Sequence, residues 1–304
     1  MAERLADITA QLKTVRQLGS VVTAMRGIAA ARAQQSRALL GGTEAYSQVI
    51  VQAIEKALSL LPSTTPLPWR PAARGMILFC AEQGFAGAFS ERVFAAAGDD
   101  IERAILFLVG THGAARAIER GLKLAWSAPM AAHVDGVPGL ANRLVEAVYG
   151  RIVAGSVTEI ELVFSRSLPA GGVAVDRHSL FPVEFGRFEA PISRQPPVTT
   201  LSPAVLLEHL VEEYIYAQLC QAAMHAFEAE NESRMMAMAA AKTNIDAKLQ
   251  GLSRRERQLR QDEITAELME LAAGTQAIKS RGTSEGPPQR THARNRPAST
   301  YYRP

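Results

Sequence analysis

The 304-residue chain has only two cysteines, Cys80 and Cys220. Two thiols exclude a disulfide framework and a four-cysteine zinc site, and such sparse usage fits a reducing compartment. Long apolar runs are also lacking: none approaches the ~20 residues that a membrane-spanning helix needs. The opening residues, MAERLADITAQLKTVRQ, mix charges through their first turns, which is not the pattern of a secretory leader. Nor does the body carry an excess of one charge. The formal net charge is +3, from 33 Lys+Arg and 30 Asp+Glu. From Lys279 onward, six basic residues (Lys279, Arg281, Arg290, Arg294, Arg296, Arg303) stand against Glu285, leaving 27 basic and 29 acidic residues before them. The sequence pI of about 9.0 is therefore a property of the tail, and a basic nucleic-acid-binding body is not supported.

The motifs of bond chemistry are missing too. There is no Walker A loop and no Gly-x-Gly-x-x-Gly, no Gly-x-Ser-x-Gly elbow, and no His-Glu-x-x-His or Cys-x-x-Cys set. The six histidines (His112, His133, His178, His209, His225, His292) are scattered, and His209 and His225 are too far apart on one helix to share a metal. Glu228, Glu230 and Glu232 recur every second residue; on a helix such neighbours do not face each other, so they read as a solvated face rather than a paired-carboxylate site. Gly110-Thr-His-Gly113-Ala-Ala-Arg116 reads as a strand-to-helix turn, with a phosphate loop as the weaker alternative. Gly84-Phe-Ala-Gly87 reads as a tight turn or a point of close packing. No metal and no cofactor is expected.

What the chain does have is two long stretches without proline, one at each end. Leu5, Ile8, Leu12 and Val15 keep a 3-4-3 spacing; Leu18, Val22, Met25 and Ala29 resume it after a three-residue slip. This is a coiled-coil seam, favoured by the Ala-rich stretch Ala29–Arg32. Gly41-Gly42 is a candidate interruption, after which Tyr46, Val49, Ile50 and Ile54 continue an apolar stripe. In the second stretch, Pro203 suits a first helical turn behind Ser202. The seventy-odd residues that follow would span roughly 110 Å as one helix. Its apolar positions include Leu210, Tyr214, Ala217, Met224, Phe227, Met235, Met238, Ile245, Leu249, Leu252, Leu259, Ile264, Leu268 and Leu271. The tract Met235-Met236-Ala-Met238 is core or adaptable partner-packing material. Arg254, Arg255, Arg257 and Arg260 form a basic cluster, suited to phosphate, to solvent or to acidic loops of a partner. The two terminal helices are expected to pair antiparallel.

Between them, residues 76–81 and 104–110 are short continuous apolar runs and 158–164 alternates. Helical patterns occupy 111–120 and 138–154, and a turn at Ala170–Gly172 leads to a further strand. This is the signature of a small α/β sheet covered on both faces. The fold class read from the chain is thus α/β plus a long antiparallel coiled coil. Its parts are residues 1–60 (N-terminal helix), 61–74 (linker), 75–190 (a Rossmann-like α/β lobe), 191–203 (linker), 204–278 (C-terminal helix) and 279–304 (basic tail without the pattern of a packed helix).

Three segments then carry a resemblance. Residues 227–278, with Glu-Ser-Arg-Met-Met-Ala-Met and Arg-Gln-x-x-Ile-Thr-x-Glu-Leu, resemble the C-terminal helix of the γ subunit of F-type ATP synthases. Residues 12–33 are similar to that family's N-terminal helix, and residues 81–90, Ala-Glu-Gln-Gly-Phe-Ala-Gly-Ala-Phe-Ser, to its Gly-rich lobe loop. The resemblance covers roughly residues 1–278. It implies a non-catalytic rotor shaft inside a ring of three α and three β subunits, with an ε subunit and a c-type membrane ring at the lobe, peripheral on the cytoplasmic face of a bacterial inner membrane. It implies rotor–stator contacts at Met25 and Arg32 on the N-terminal helix and at Arg260, Gln261, Thr265 and Glu267 on the C-terminal helix, with Gly84 and Gly87 in the lobe loop. The sequence departs from the family in three places: Arg32 stands for a usual Lys, Leu-Leu-Gly-Gly-Thr-Glu at 39–44 for a basic, polar stretch, and Glu82-Gln83 for Asp-Arg. These departures leave open a paralogous rotary ATPase with a different ring. The alternative from the residues alone is a non-rotary coiled-coil scaffold with an α/β head.

Overall fold

The computed structural model describes residues 5–61, 73–183, 185, 188 and 198–282, with 277–282 described by backbone alone. The expected tail beyond 282, and most of both expected linkers, lie outside the described residues. The chain divides into two compact units, Gln17–Asp246 and a second made of residues up to Arg16 with residues from Ala247.

The larger unit is built on a five-stranded sheet of order β3-β2-β1-β4-β5. Strands β1 (Arg74–Phe79), β2 (Ile105–Val109), β3 (Leu124–Ala128) and β4 (Glu159–Ser167) are parallel, while β5 (Val173–Phe181) returns antiparallel along β4. The central strand β1 is buried from Gly75 to Phe79, which is why it reads as a continuous apolar run. Its residues alternate between two cores. Ile77 and Phe79 face Leu140, Leu144 and Val148 of α4 (Val137–Val153) and Leu219, Ala223 and Phe227 of α5 (Pro203–Gly282). Met76 and Leu78 face Val93, Phe94 and Ala97 of α2 (Phe89–Ala97) and Ala117 of α3 (Thr111–Glu119). Strand β3 and helix α2 have no counterpart in the elements expected from sequence. Both are short, and β3 lies at the sheet edge, where its alternation is weak.

Against α5 runs α1 (Leu5–Leu58). Within the larger unit, Gly19 faces Ile245, Ser36 Oγ donates to the Met224 carbonyl (3.2 Å), and Gln218 Nε2 donates to Ser47 Oγ (2.9 Å). Partners descend along α5 as they climb along α1, so the pairing is antiparallel. A Cβ built on Gly19 would stand 3.3 Å from Cγ2 of Ile245. The seam therefore passes through buried Gly19, and Leu18 is 51% exposed. The expected three-residue slip at Leu18 is corrected: the 3-4 spacing continues without it, because a glycine can hold a seam position where backbones approach. Tyr46 and Val49 are likewise exposed, and the buried row is Ser47, Ile50, Ile54 and Ala57. Gly41 and Gly42 do not interrupt α1. The ~1 kcal/mol that each glycine costs a helix is offset by the packing on either side.

In the smaller unit, Ile8 and Leu12 of α1 are buried, and Leu249, Leu252, Glu256 and Leu259 of α5 are half-buried at the same 3-4-3 spacing. From Arg260 to Gln276 every residue of α5 is exposed.

Candidate functional site

The carboxyl edge of the sheet holds the densest polar geometry in the larger unit. The β1 chain ends at Cys80, whose N–H donates to the Val109 carbonyl (2.8 Å). Gly110 has φ 112°, and a Cβ there would fall 2.4 Å from the Cys80 oxygen; one on Gly113 would fall 2.1 Å from Cys80 Cβ. Only glycine fits either place, so Gly110-x-x-Gly113 is a packing motif that seats the start of α3 on the end of β1. The Glu82 carboxylate fills that helix N-terminus. It accepts the Thr111 N–H (2.9 Å), the Thr111 hydroxyl (2.9 Å) and the Met130 N–H (2.8 Å). A helix start attracts an anion through its free N–H groups and its dipole, and here the chain supplies its own. The phosphate-loop alternative is thereby answered.

In this strand order the winding reverses between β1 and β4, the point where open α/β sheets ordinarily bind ligands. At that edge the loop after β1 is held by α5. Glu230, 2% exposed, accepts the N–H groups of Glu82 (3.1 Å) and Gln83 (3.2 Å) and pairs with Arg234. Arg234 is also buried and donates to the carbonyls of Gln83 (3.3 Å) and Gly84 (3.4 Å) and to Asn231 Oδ1 (3.3 Å). Two residues to either side of Glu230, Glu228 and Glu232 share Arg37 of α1, at 2.8 and 3.2 Å. Arg92 of α2 reaches Ser233 Oγ at 3.2 Å.

The solvated face expected at Glu228, Glu230 and Glu232 is therefore corrected: all three are buried. The two-residue spacing does keep them from facing one another, but it aims them at different neighbours. Glu228 and Glu232 turn to α1, and Glu230 turns to the lobe. Two i, i+4 relations in the sequence carried this signal: Glu230 with Arg234, and Glu228 with Glu232, a like-charged pair that needs a shared cation.

The residues implied by resemblance fall in three places. Met25 and Arg32, both half-buried, are seven apart and so share a face of α1. Arg32 makes no hydrogen bond or ion pair among the described residues. Gly84 and Gly87 flank Phe85 in the loop after β1; Gly87 (φ 60°) and Phe85 (φ 62°) are both left-handed, and Phe85 is 71% exposed. Arg260, Gln261, Thr265 and Glu267 are exposed within two turns of α5. Arg260 pairs with Glu256 (3.2 Å), and Thr265 Oγ1 donates to the Gln261 carbonyl (2.8 Å). Ile264, Leu268, Met269 and Leu271 lie exposed among them. In the Met tract, Met238 is buried in the seam while Met236 is exposed.

Burial pushes the Cys80 and Cys220 thiols above their ordinary values, and Tyr216, also by burial, up to about 12. His225, stacked on Phe164 at 5.9 Å, is lowered by burial, with Glu44 and Glu228 opposing. No cluster of three metal-ligating side chains occurs among the described residues, and no described helix is long and apolar enough to cross a membrane. An apolar groove of about 670 Å³ beside Tyr149, Phe181 and Val211 has only Glu146, Glu208 and Glu212 as charged lining.

The sequence model of the family described as ATP synthase matches residues 4–278. The chain belongs to that family. Its relatives place it with the γ subunits. It is similar to the ATP synthase gamma chain of Parafrankia sp. (strain EAN1pec), 26% identical over 298 residues, covering 92% of this chain and 99% of that one. It is also similar to the gamma chain of Clavibacter sepedonicus, 24% identical over 299 residues with the same coverage. In fold it is similar to a chain of the Euglena gracilis mitochondrial ATP synthase (TM-score 0.62, 12% identity, 95% of this chain and 99% of that one). A chain in the central stalk and c-ring structure of the Tetrahymena thermophila mitochondrial enzyme gives a TM-score of 0.53 at 16% identity, over 73% of this chain and 99% of that one. γ subunits are non-catalytic stalk subunits, and catalysis in the complex resides in the β subunits.

Proposed function

We propose that this chain is the central-stalk rotor of an F-type ATP synthase, coupling ion flow through a c-type membrane ring to conformational cycling of catalytic β subunits. Three α and three β subunits surround the helix pair, an ε subunit and the ring meet the lobe, and the complex sits peripherally on the cytoplasmic face of a bacterial inner membrane. The family match across residues 4–278 carries this reading. The uncovered stretch of α5 supports it: a helix with no packed face from Arg260 to Gln276 among the described residues is a surface for other chains.

Met25 and Arg32, and Arg260, Gln261, Thr265 and Glu267, are the proposed contacts with the surrounding ring; Gly84 and Gly87 belong to the lobe loop. Polar, charge-assisted contacts suit a surface that must release at each step. A large apolar contact would favour one angle, and each ~1.4 kcal/mol of preference is tenfold in occupancy. The test is reconstitution with α and β subunits after removing residues 254–278. Coupled ion transport is expected to be lost or assembly impaired, whereas removing 282–304 leaves rotation intact. Full coupling by the chain lacking 254–278, or failure of the intact chain to copurify with α and β subunits, would overturn the rotor reading in favour of a scaffold.

A further inference from the structure

The face that α5 turns to the sheet packs Leu219 and Phe227 there together with the small residues Ala222, Ala223, Ala226 and Ala229, all buried. Such a face packs closely, but apolar contact is non-directional, and the alanines offer few ridges to fix the rotation or axial register of the helix. Directional groups are needed to fix both, and on this face they are concentrated at Glu230 and Arg234. Their partners are backbone groups of the loop after β1: two N–H groups and two carbonyls. Backbone partners cannot change rotamer, so they define position more sharply than side chains would. The same loop holds its neighbours through Glu82, which reaches α3 at Thr111 and the segment after β3 at Met130. One carboxylate on α5 thus ties the loops after β1, β2 and β3 at the carboxyl edge to the helix.

We infer that Glu230, braced by Arg234, is the register pin that fixes the angle of α5 to the lobe, and is a positioning residue for coupling in the complex. The inference rests on the rotor reading for its consequence but not for its geometry. Torque entering through the lobe passes into α5 across this joint and the apolar core beside it. Apolar packing yields to sliding, whereas a buried carboxylate bonded to two amides and a guanidinium yields only by leaving a charge unpaired.

The experiment uses the assembled complex carrying Glu230→Leu or, should that chain fail to assemble, Arg234→Lys. Leucine fills similar volume but removes the Oε1 acceptor that takes both amides and Arg234; lysine keeps the charge but loses the fork that reaches both carbonyls. Hydrogen exchange at the amides of Glu82 and Gln83 is expected to accelerate at least about tenfold, with Leu108 and Val109 unchanged. Ions pumped per ATP hydrolysed should fall by about half or more, while hydrolysis stays within about twofold. Unchanged exchange at both amides would overturn the pin. Loosened amides with an unchanged pumping ratio would overturn its part in coupling. Failure of the wild-type chain to assemble with α and β subunits would sink the rotor reading, and the amides of the free full-length chain would then decide the pin alone.

Discussion

Two stretches of the same helix do opposite things with charge. Between Glu228 and Arg234, α5 buries three carboxylates and an arginine, and each has a partner. Between Arg260 and Gln276 it exposes everything, and Asp262, Glu263, Glu267 and Glu270 have no ion-pair partner among the described residues. Secondary structure is identical in both, so helix propensity explains neither. Burying a charge is tolerable only with hydrogen bonds to receive it, so the first stretch is committed to its neighbours. The second is committed to nothing among the described residues, and its energetics lie with whatever surrounds it.

The sharpest way to break this contrast is Arg234→Ala. It strands Glu230 in a site 2% exposed and should cost about 3–5 kcal/mol, read as a lower denaturant midpoint of the full-length chain. A loss under about 1 kcal/mol would mean that water reaches the site. Glu82→Gln comes next. It removes the charge at the start of α3 but keeps an acceptor, so about 1 kcal/mol should be lost, measured the same way.

His225 tests the edge of the buried stretch through pH. Burial lowers its pKa from 6.5, with Glu44, Glu228 and Asp176 acting in the opposite sense. The unfolded chain then binds the proton more readily than the folded one, so stability is full above pH ~6.5 and falls as pH drops through that value toward the folded pKa. Unfolding midpoints from pH 7.5 to 5.5 should fall less steeply in His225→Phe than in the parent; parallel slopes would assign the acid sensitivity elsewhere. The smallest effect belongs to Leu268→Ala, at a residue 61% exposed. Stability of the free chain should stay within about 0.5 kcal/mol, and a larger loss would reveal a packed face at the end of α5.

The two helices were legible because their spacing repeats over many turns, and the apolar runs of β1 and β2 because both their faces are covered. Strand β3 was not, since Trp126 and its neighbours alternate weakly at an edge. Gly19 was passed over because a glycine carries no apolar signal, yet it sits in the seam where the backbones come close. The carboxylates were misread for a deeper reason. Whether Glu230 meets water or two amides depends on a loop 147–148 residues earlier in the chain, and no local pattern encodes that. The proposed contact residues on Arg260–Glu267 came from likeness alone, because nothing in composition separates a working surface from a merely wet one.

The carboxylate at the start of α3 has one last consequence. Cells let adenine nucleotides and inorganic phosphate swing widely in concentration, and many α/β sheets respond because the seat at a helix start is vacant. This chain keeps that seat taken by Glu82. At that seat the lobe takes no signal from the phosphates that its proposed neighbours convert.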